Sequence, residues 1–139
     1  MVLQPEAKID SAPNRVLVVD DDVFIRQIVA EALRDAGLAV IEARSGADVV
    51  NYLGAGGHVD LIFSDIQMPG AIDGLALSRY VRDTYPAIPM ILTSGNGKPP
   101  NMDASRTFIP KPYKFRGVLA LVAQSLGTTD KGAEDKGAG

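Results

Sequence analysis

The sequence predicts an α/β fold: a five-stranded parallel sheet of order 2-1-3-4-5 with helices on both faces. Three observations predict it. Short β-branched apolar runs alternate with longer segments whose apolar residues recur at spacings of three and four. Two of the short runs end in carboxylates, at Asp20–Asp22 and Asp65, and a third in the hydroxyls of Thr93-Ser94 followed by Gly95. At 139 residues the chain is also long enough for one sizeable core and little more.

The elements follow in order. Val16–Val19 is a β-branched run of the kind buried on both faces of a sheet, and it opens strand one at Arg15. Asp22 can cap a helix whose apolar positions are Ile25, Ile28, Val29, Ala32, Leu33 and Ala36, with Gly37 as its left-handed terminator. Leu38–Ala43 is strand two. Ser45 caps a second helix that runs to about Leu53 and is broken by Gly54, Gly56 and Gly57. Val59–Ser64 is strand three, and a helix from Gly74 to about Tyr85 is stopped by Pro86. Ile88–Thr93 is strand four and Arg106–Ile109 strand five. A closing helix over Lys114–Leu126 puts Phe115, Val118, Leu119, Val122 and Leu126 on one face. Alternation of this kind makes an open parallel sheet, and short right-handed crossovers favour the order given. Residues 14–126 form the one domain. Residues 1–13 read as a disordered leader and 127–139 as a disordered tail without large apolar side chains.

Composition narrows the function. With 14 basic and 17 acidic residues the net charge is −3, and no basic stripe is available for a phosphate backbone, so nucleic acid is not an expected partner. The chain contains no cysteine, which removes thiol catalysis, disulfides and thiolate metal sites; a single histidine, His58, cannot build a zinc cluster. No apolar run approaches the ~18 residues of a membrane span, and no secretory h-region opens the chain. The cytoplasm is the default location.

The chemistry lies at the strand ends. Strand three ends Phe63-Ser64-Asp65 and strand one ends Val18-Val19-Asp20-Asp21-Asp22. A charge at the tip of a buried strand costs several kcal/mol unless something holds it. In the predicted order strands one and three are neighbours where the winding reverses, which is where such sheets bind ligands. Clustered carboxylates are relieved most simply by a hard divalent cation with oxygen ligands; Mg²⁺ suits one or two carboxylates with water and a phosphate oxygen. With such an ion, one aspartate can act as a nucleophile toward phosphorus. The phosphoryl oxygens then need hydroxyl and cationic partners, which Thr93-Ser94 after strand four and Lys111-Pro112 after strand five can supply.

These runs, Val18-Val19-Asp20-Asp21-Asp22, Asp65-Ile66-Gln67-Met68-Pro69, Asp73-Gly74, Leu92-Thr93-Ser94-Gly95 and Lys111-Pro112-Tyr113, resemble those of response-regulator receiver domains of two-component signalling. The likeness covers about Arg15 to Leu126. It implies a flavodoxin/CheY-like sheet, and the strand order 2-1-3-4-5 is taken from that topology. It further implies that Asp65 is the phosphoacceptor, that Asp21 binds Mg²⁺ directly and Asp20 through water, and that the Gln67 backbone carbonyl is another ligand. Ser94, counted from Ile88-Pro89, takes the switch hydroxyl position in preference to Thr93. Lys111 holds a phosphoryl oxygen, Pro112 follows a cis peptide, and Phe108 occupies the position of a rotating aromatic switch. The implied partners are a sensor histidine kinase or histidine phosphotransfer protein as donor and a downstream protein target. The implied chemistry is limited to the protein's own phosphorylation and dephosphorylation, so it is no enzyme in the ordinary sense.

Two departures and several plainer alternatives stand beside this reading. The loop from Asp65 to Gly74 is one residue longer than the common family pattern. Ser94 and Lys111 are 17 positions apart, about five fewer than usual for the family. The stretch Gly95-Asn96-Gly97-Lys98-Pro99-Pro100 opposes helix, so the fourth helix is expected to shrink to about a turn near Asn101–Ser105 or to be irregular. Asp22 is read as a helix cap only, Phe108 serves equally as a packing aromatic, and His58 is read as a loop histidine. A haloacid-dehalogenase-type hydrolase would also use an aspartyl nucleophile and Mg²⁺. Its Asp-x-Asp-x-Thr/Val run would, however, put Phe24 in the last place. A receiver excised from a hybrid kinase is a third reading; the start at Met1 favours an independent protein.

Overall fold

The computed structural model describes residues 12–127. The expected disordered leader and tail therefore lie, apart from residues 12, 13 and 127, outside the described residues. Five strands form one parallel sheet: β1 (Arg15–Val19), β2 (Ala39–Ala43), β3 (Leu61–Asp65), β4 (Met90–Ser94) and β5 (Thr107–Pro110), in the order β2-β1-β3-β4-β5. Four helices accompany them among the described residues: α1 (Val23–Asp35), α2 (Gly46–Gly54), α3 (Gly74–Thr84) and α4 (Phe115–Ser125). The predicted fold class is the observed one.

Side chains alternate across the central strands, so each strand feeds two cores. Leu17, Val19, Ile62 and Leu92 pack with Val49 and Leu53 of α2 and with Leu77 and Val81 of α3. Val16, Val18, Leu61, Phe63 and Ile91 pack with Val29 and Leu33 of α1 and with Val118 and Val122 of α4. β3 and β4 are buried along their whole length. This is why those strands read as continuous apolar runs rather than alternating ones.

Helix ends form where their capping chemistry sits. The Asp22 carboxylate accepts the Phe24 and Ile25 N–H groups at 3.0 and 3.2 Å. At the far end of α1, Gly37 has φ +95°, the Leu38 N–H donates to the Leu33 carbonyl and the Gly37 N–H to the Arg34 carbonyl. That pattern is a Schellman stop, available to a glycine at no steric cost. Ser45 accepts the Asp48 N–H and Asp73 the Ala76 N–H.

Several expectations are corrected. β3 and β4 extend one residue further than predicted, so Asp65 and Ser94 lie inside strands rather than after them. β4 begins at Met90 because Pro89 has no N–H to offer the ladder, although its carbonyl accepts the Ile62 N–H. Between β4 and β5, in contrast, the expected loss of a full helix holds: turns run through the segment, with Met102 buried as a plug and Asp103 accepting the Ser105 N–H at 2.9 Å. Ile28 and Phe115, which the sequence places among the apolar positions of their helices, are 48% and 42% exposed. Both line a cleft beside Lys111.

Candidate functional site

β1 and β3 are in parallel register, Val19 opposite Ser64, so the chain delivers Asp20 and Asp65 side by side at the C-terminal rim. Asp65 in turn pairs with Thr93, and Ser94 with Pro110, which brings the start of the β5–α4 loop to the same rim. Carboxylate oxygens of Asp20, Asp21 and Asp65 all lie within 4.8 Å of one another. Asp20 and Asp65 are buried and Asp21 is exposed. The Lys111 ammonium sits 3.5 Å from Asp20 Oδ2 and 3.4 Å from Asp65 Oδ2. The Lys111–Pro112 peptide is cis.

The neighbouring chain braces these groups. The Asp22 N–H donates to Asp20 Oδ1 at 2.9 Å, and the Arg26 guanidinium, itself paired with Glu42 at 3.0 Å, donates to the Asp20 backbone carbonyl at 2.9 Å. Behind Asp65 the loop closes on itself: the Gly74 N–H donates to the Ile66 carbonyl at 2.9 Å. A side chain at Gly74 would overlap the Asp65 carbonyl oxygen and the Ile66 Cα, so the close approach of α3 to the strand tip requires glycine there. Within the same loop, Ile72 covers Gly46 at the start of α2, where an added side chain would overlap it.

The electrostatics are those of crowded, buried acids. Burial is the largest influence on Asp65 and raises its pKa; the Asp20 charge raises it further, and Lys111 only partly offsets the two. Burial likewise raises Asp20, opposed by the Asp22 N–H and by Lys111. Asp65 Oδ1 is buried and has no hydrogen-bond partner. A buried carboxylate oxygen left unpaired beside two other acids is a donor set suited to a hard cation, so Asp20, Asp21 and Asp65 fit an ion such as Mg²⁺. The Tyr113 hydroxyl is also buried without a partner, and burial together with the Asp20 and Asp65 charges pushes its pKa upward. The Tyr113 ring packs edge-on against Phe63, with centroids 5.7 Å apart.

Of the residues singled out from sequence, Asp20, Asp21, Asp65 and Lys111 converge. Ser94 lies at the same rim, but no hydrogen bond joins it to Asp65. Its hydroxyl donates to Gln67 Oε1 at 2.6 Å and accepts the Asn96 N–H at 2.9 Å. Phe108 is half-buried against the core on the α2–α3 side. His58 is exposed and pairs with Asp60 at 3.1 Å, away from the rim. The side-chain contact between Ser94 and Gln67, across 27 positions, leaves no local signal in the sequence.

Known proteins resemble the chain in both sequence and shape. The profile of the response regulator receiver domain matches residues 16–123. The DNA-binding transcriptional regulator NtrC of Escherichia coli (strain K12) is 34% identical over 119 residues, covering 80% of this chain and 24% of that protein. The sensor kinase CckA of Brucella abortus (strain 2308) is 33% identical over 140 residues, covering 93% of this chain and 15% of its own. The chain thus spans about a quarter or less of these relatives' length. Among solved structures, the receiver domain of the hybrid histidine kinase CckA superposes with a TM-score of 0.71 at 32% identity, covering 81% of this chain and 99% of that one. A CheY-like receiver protein from Methanospirillum hungatei JF-1 shares the fold, with a TM-score of 0.75 at 23% identity over 86% of this chain and 98% of its own. With the acidic rim of the sheet and the profile covering most of the chain, this protein belongs to the response regulator receiver domain family.

Proposed function

We propose that the domain is the phosphoacceptor of a two-component relay, taking a phosphoryl group from a phosphohistidine donor onto Asp65. The observation that carries this reading is the convergence of the three carboxylates and Lys111 on one rim. In the transfer, an Asp65 carboxylate oxygen forms the new P–O bond while the P–N bond to the donor imidazole breaks, and the freed nitrogen keeps the electron pair. Lys111 is close enough to neutralise a phosphoryl oxygen, and Ser94 is the nearby hydroxyl donor. Asp20, Asp21, Asp65 and the Gln67 backbone carbonyl would hold Mg²⁺, whose charge would offset the crowding of carboxylate and phosphoryl oxygens. The domain would catalyse its own phosphorylation and dephosphorylation and nothing further.

The donor would be a sensor histidine kinase or histidine phosphotransfer protein. A cleft of about 510 Å³ beside Lys111 is lined by Ile25, Ile28, Pro112, Tyr113 and Phe115, and Phe24, adjacent to Ile25 in the chain, is 73% exposed. Apolar surface next to the reacting group suits a protein donor. The phosphorylated surface would engage a downstream protein target in the cytoplasm rather than nucleic acid or membrane, in keeping with a chain of net charge −3 and with no described helix long and apolar enough to cross a bilayer. Phe108, next to the core, would take part in the changed surface.

Incubation with acetyl phosphate and Mg²⁺ should add one phosphoryl group, detected by mass spectrometry, and Asp65→Asn should remove the gain. No gain by the wild type, or the same gain in Asp65→Asn, overturns the proposal.

A further inference from the structure

Ser94 is wholly buried, and its hydroxyl is fully engaged, though not with the proposed phosphoacceptor. Its oxygen accepts the Asn96 N–H and its one hydrogen goes to Gln67 Oε1 at 2.6 Å, among the shortest hydrogen bonds of the molecule. A hydroxyl has a single proton to donate. While that proton serves Gln67, Ser94 cannot donate to a phosphoryl oxygen on Asp65. Gln67, in contrast, is exposed and lies only two positions beyond Asp65, on the loop that leaves the strand tip.

We propose that the Gln67 side chain is a latch that holds the Ser94 hydroxyl away from Asp65 until a phosphoryl group there competes for it. The inference rests on the reading of Asp65 as phosphoacceptor. The contest is unequal by design. A hydrogen bond to a charged phosphoryl oxygen is roughly twice as strong as one to a neutral amide oxygen. The phosphoryl group therefore wins Ser94, but its net gain is reduced by the bond that Gln67 gives up. Gln67 acts here through Ser94, as a positioning residue, and its removal should favour the phosphoryl-bound state without any new contact to the phosphoryl group. The Asn96 N–H keeps the Ser94 oxygen located in the meantime, so the change is one of proton acceptor.

The test is a double-mutant cycle on binding of beryllofluoride, a stable mimic of the acyl phosphate, in the presence of Mg²⁺. The proteins are the wild type, Gln67→Ala, Ser94→Ala and the double variant. Using a mimic separates the latch from any effect of Gln67 on hydrolysis. Gln67→Ala should tighten binding by roughly three- to tenfold, the worth of one neutral hydrogen bond. The same substitution should do nothing in the Ser94→Ala background. In the ligand-free protein, the Asn96 amide resonance should shift in Gln67→Ala, reporting the freed hydroxyl. Gln67 is exposed, so folding of the variant is not at issue. Unchanged or weaker binding by Gln67→Ala overturns the latch, as does equal tightening with Ser94 absent. A wild type that binds no beryllofluoride overturns the phosphoacceptor reading as well, and so is distinguishable from failure of the latch alone.

Discussion

At the scale of single residues, the rim is held by contacts that leave no room for substitution. Gly74 is the sharpest case, because it lies against the backbone of Asp65 itself. Ala is the better helix former by about 1 kcal/mol, so an exposed helical glycine would gain from the exchange. Here the added methyl meets main chain that cannot rotate aside. We expect Gly74→Ala to lower stability by about 1–3 kcal/mol, as overpacking does, seen as a lower urea midpoint. It should also slow acceptance of phosphate from acetyl phosphate, since relief requires the Asp65 backbone to move. An unchanged midpoint with unchanged kinetics would show that the strand tip yields more easily than its packing implies. Asp22 differs in kind from its two acidic neighbours: its carboxylate is spent on two helix N–H groups. Run together in sequence, the three acids divide their labour by the direction each points.

At the scale of elements, what could be read from the chain depended on how local the determinant was. Strand ends were legible because a strand buried on both faces must be apolar throughout, and an acid at its tip is out of place without a ligand. Helix ends were legible through Asp22, Ser45 and Gly37, whose capping chemistry acts within a few residues. The exposure of Ile28 and Phe115 was not legible, because periodicity gives the angle of a face but not what covers it. The Ser94–Gln67 bond joins the end of β4 to the loop after β3 through space and was invisible. The missing helix between β4 and β5 was legible from Pro99-Pro100, yet what replaces it was not. Arg106 carries that replacement: its guanidinium donates to the Ser78 hydroxyl and carbonyl at 3.0 and 3.1 Å and reaches the Ile88 carbonyl at 3.5 Å. Arg82 pairs with Asp103 at 3.2 Å on the exposed side of the same join. The segment is thus pinned to α3 from within. Arg106→Ala takes away the guanidinium partner of the buried Ser78 hydroxyl and a second donor to the Ser78 carbonyl, so it should cost about 1–3 kcal/mol. It should also raise amide exchange across residues 98–106 well before that of β3. Uniform exchange across the domain would mean that the pin is no more local than the rest of the core.

For the whole molecule, the rim sets stability against chemistry. Asp20 and Asp65 both have pKa values raised above the ordinary 3.8 by burial, and for Asp65 the Asp20 charge adds to it. Between that ordinary value and the raised one, the folded protein holds protons that the unfolded chain has released. Stability from these two groups therefore falls as pH rises through that window. Other carboxylates act in the opposite sense. Asp103, whose pKa is lowered by the Ser105 N–H and hydroxyl and by Arg82, contributes stability that is lost as pH falls below 3.8. The difference between wild type and Asp65→Asn isolates the rim from these groups. In metal-free buffer Asp65→Asn should melt higher than the wild type at pH 7, and the gap should close as pH drops toward 4. Mg²⁺ should reverse the ranking by binding the folded form: at a hundredfold excess over its dissociation constant it adds about 2.7 kcal/mol, an increment the variant should largely lose. Melting curves on the two proteins, with and without Mg²⁺, across pH 4 to 8, would decide it. If the metal-free gap is absent or has the opposite sign, the carboxylates are not crowded in solution, and the case for a cation among them loses its physical ground.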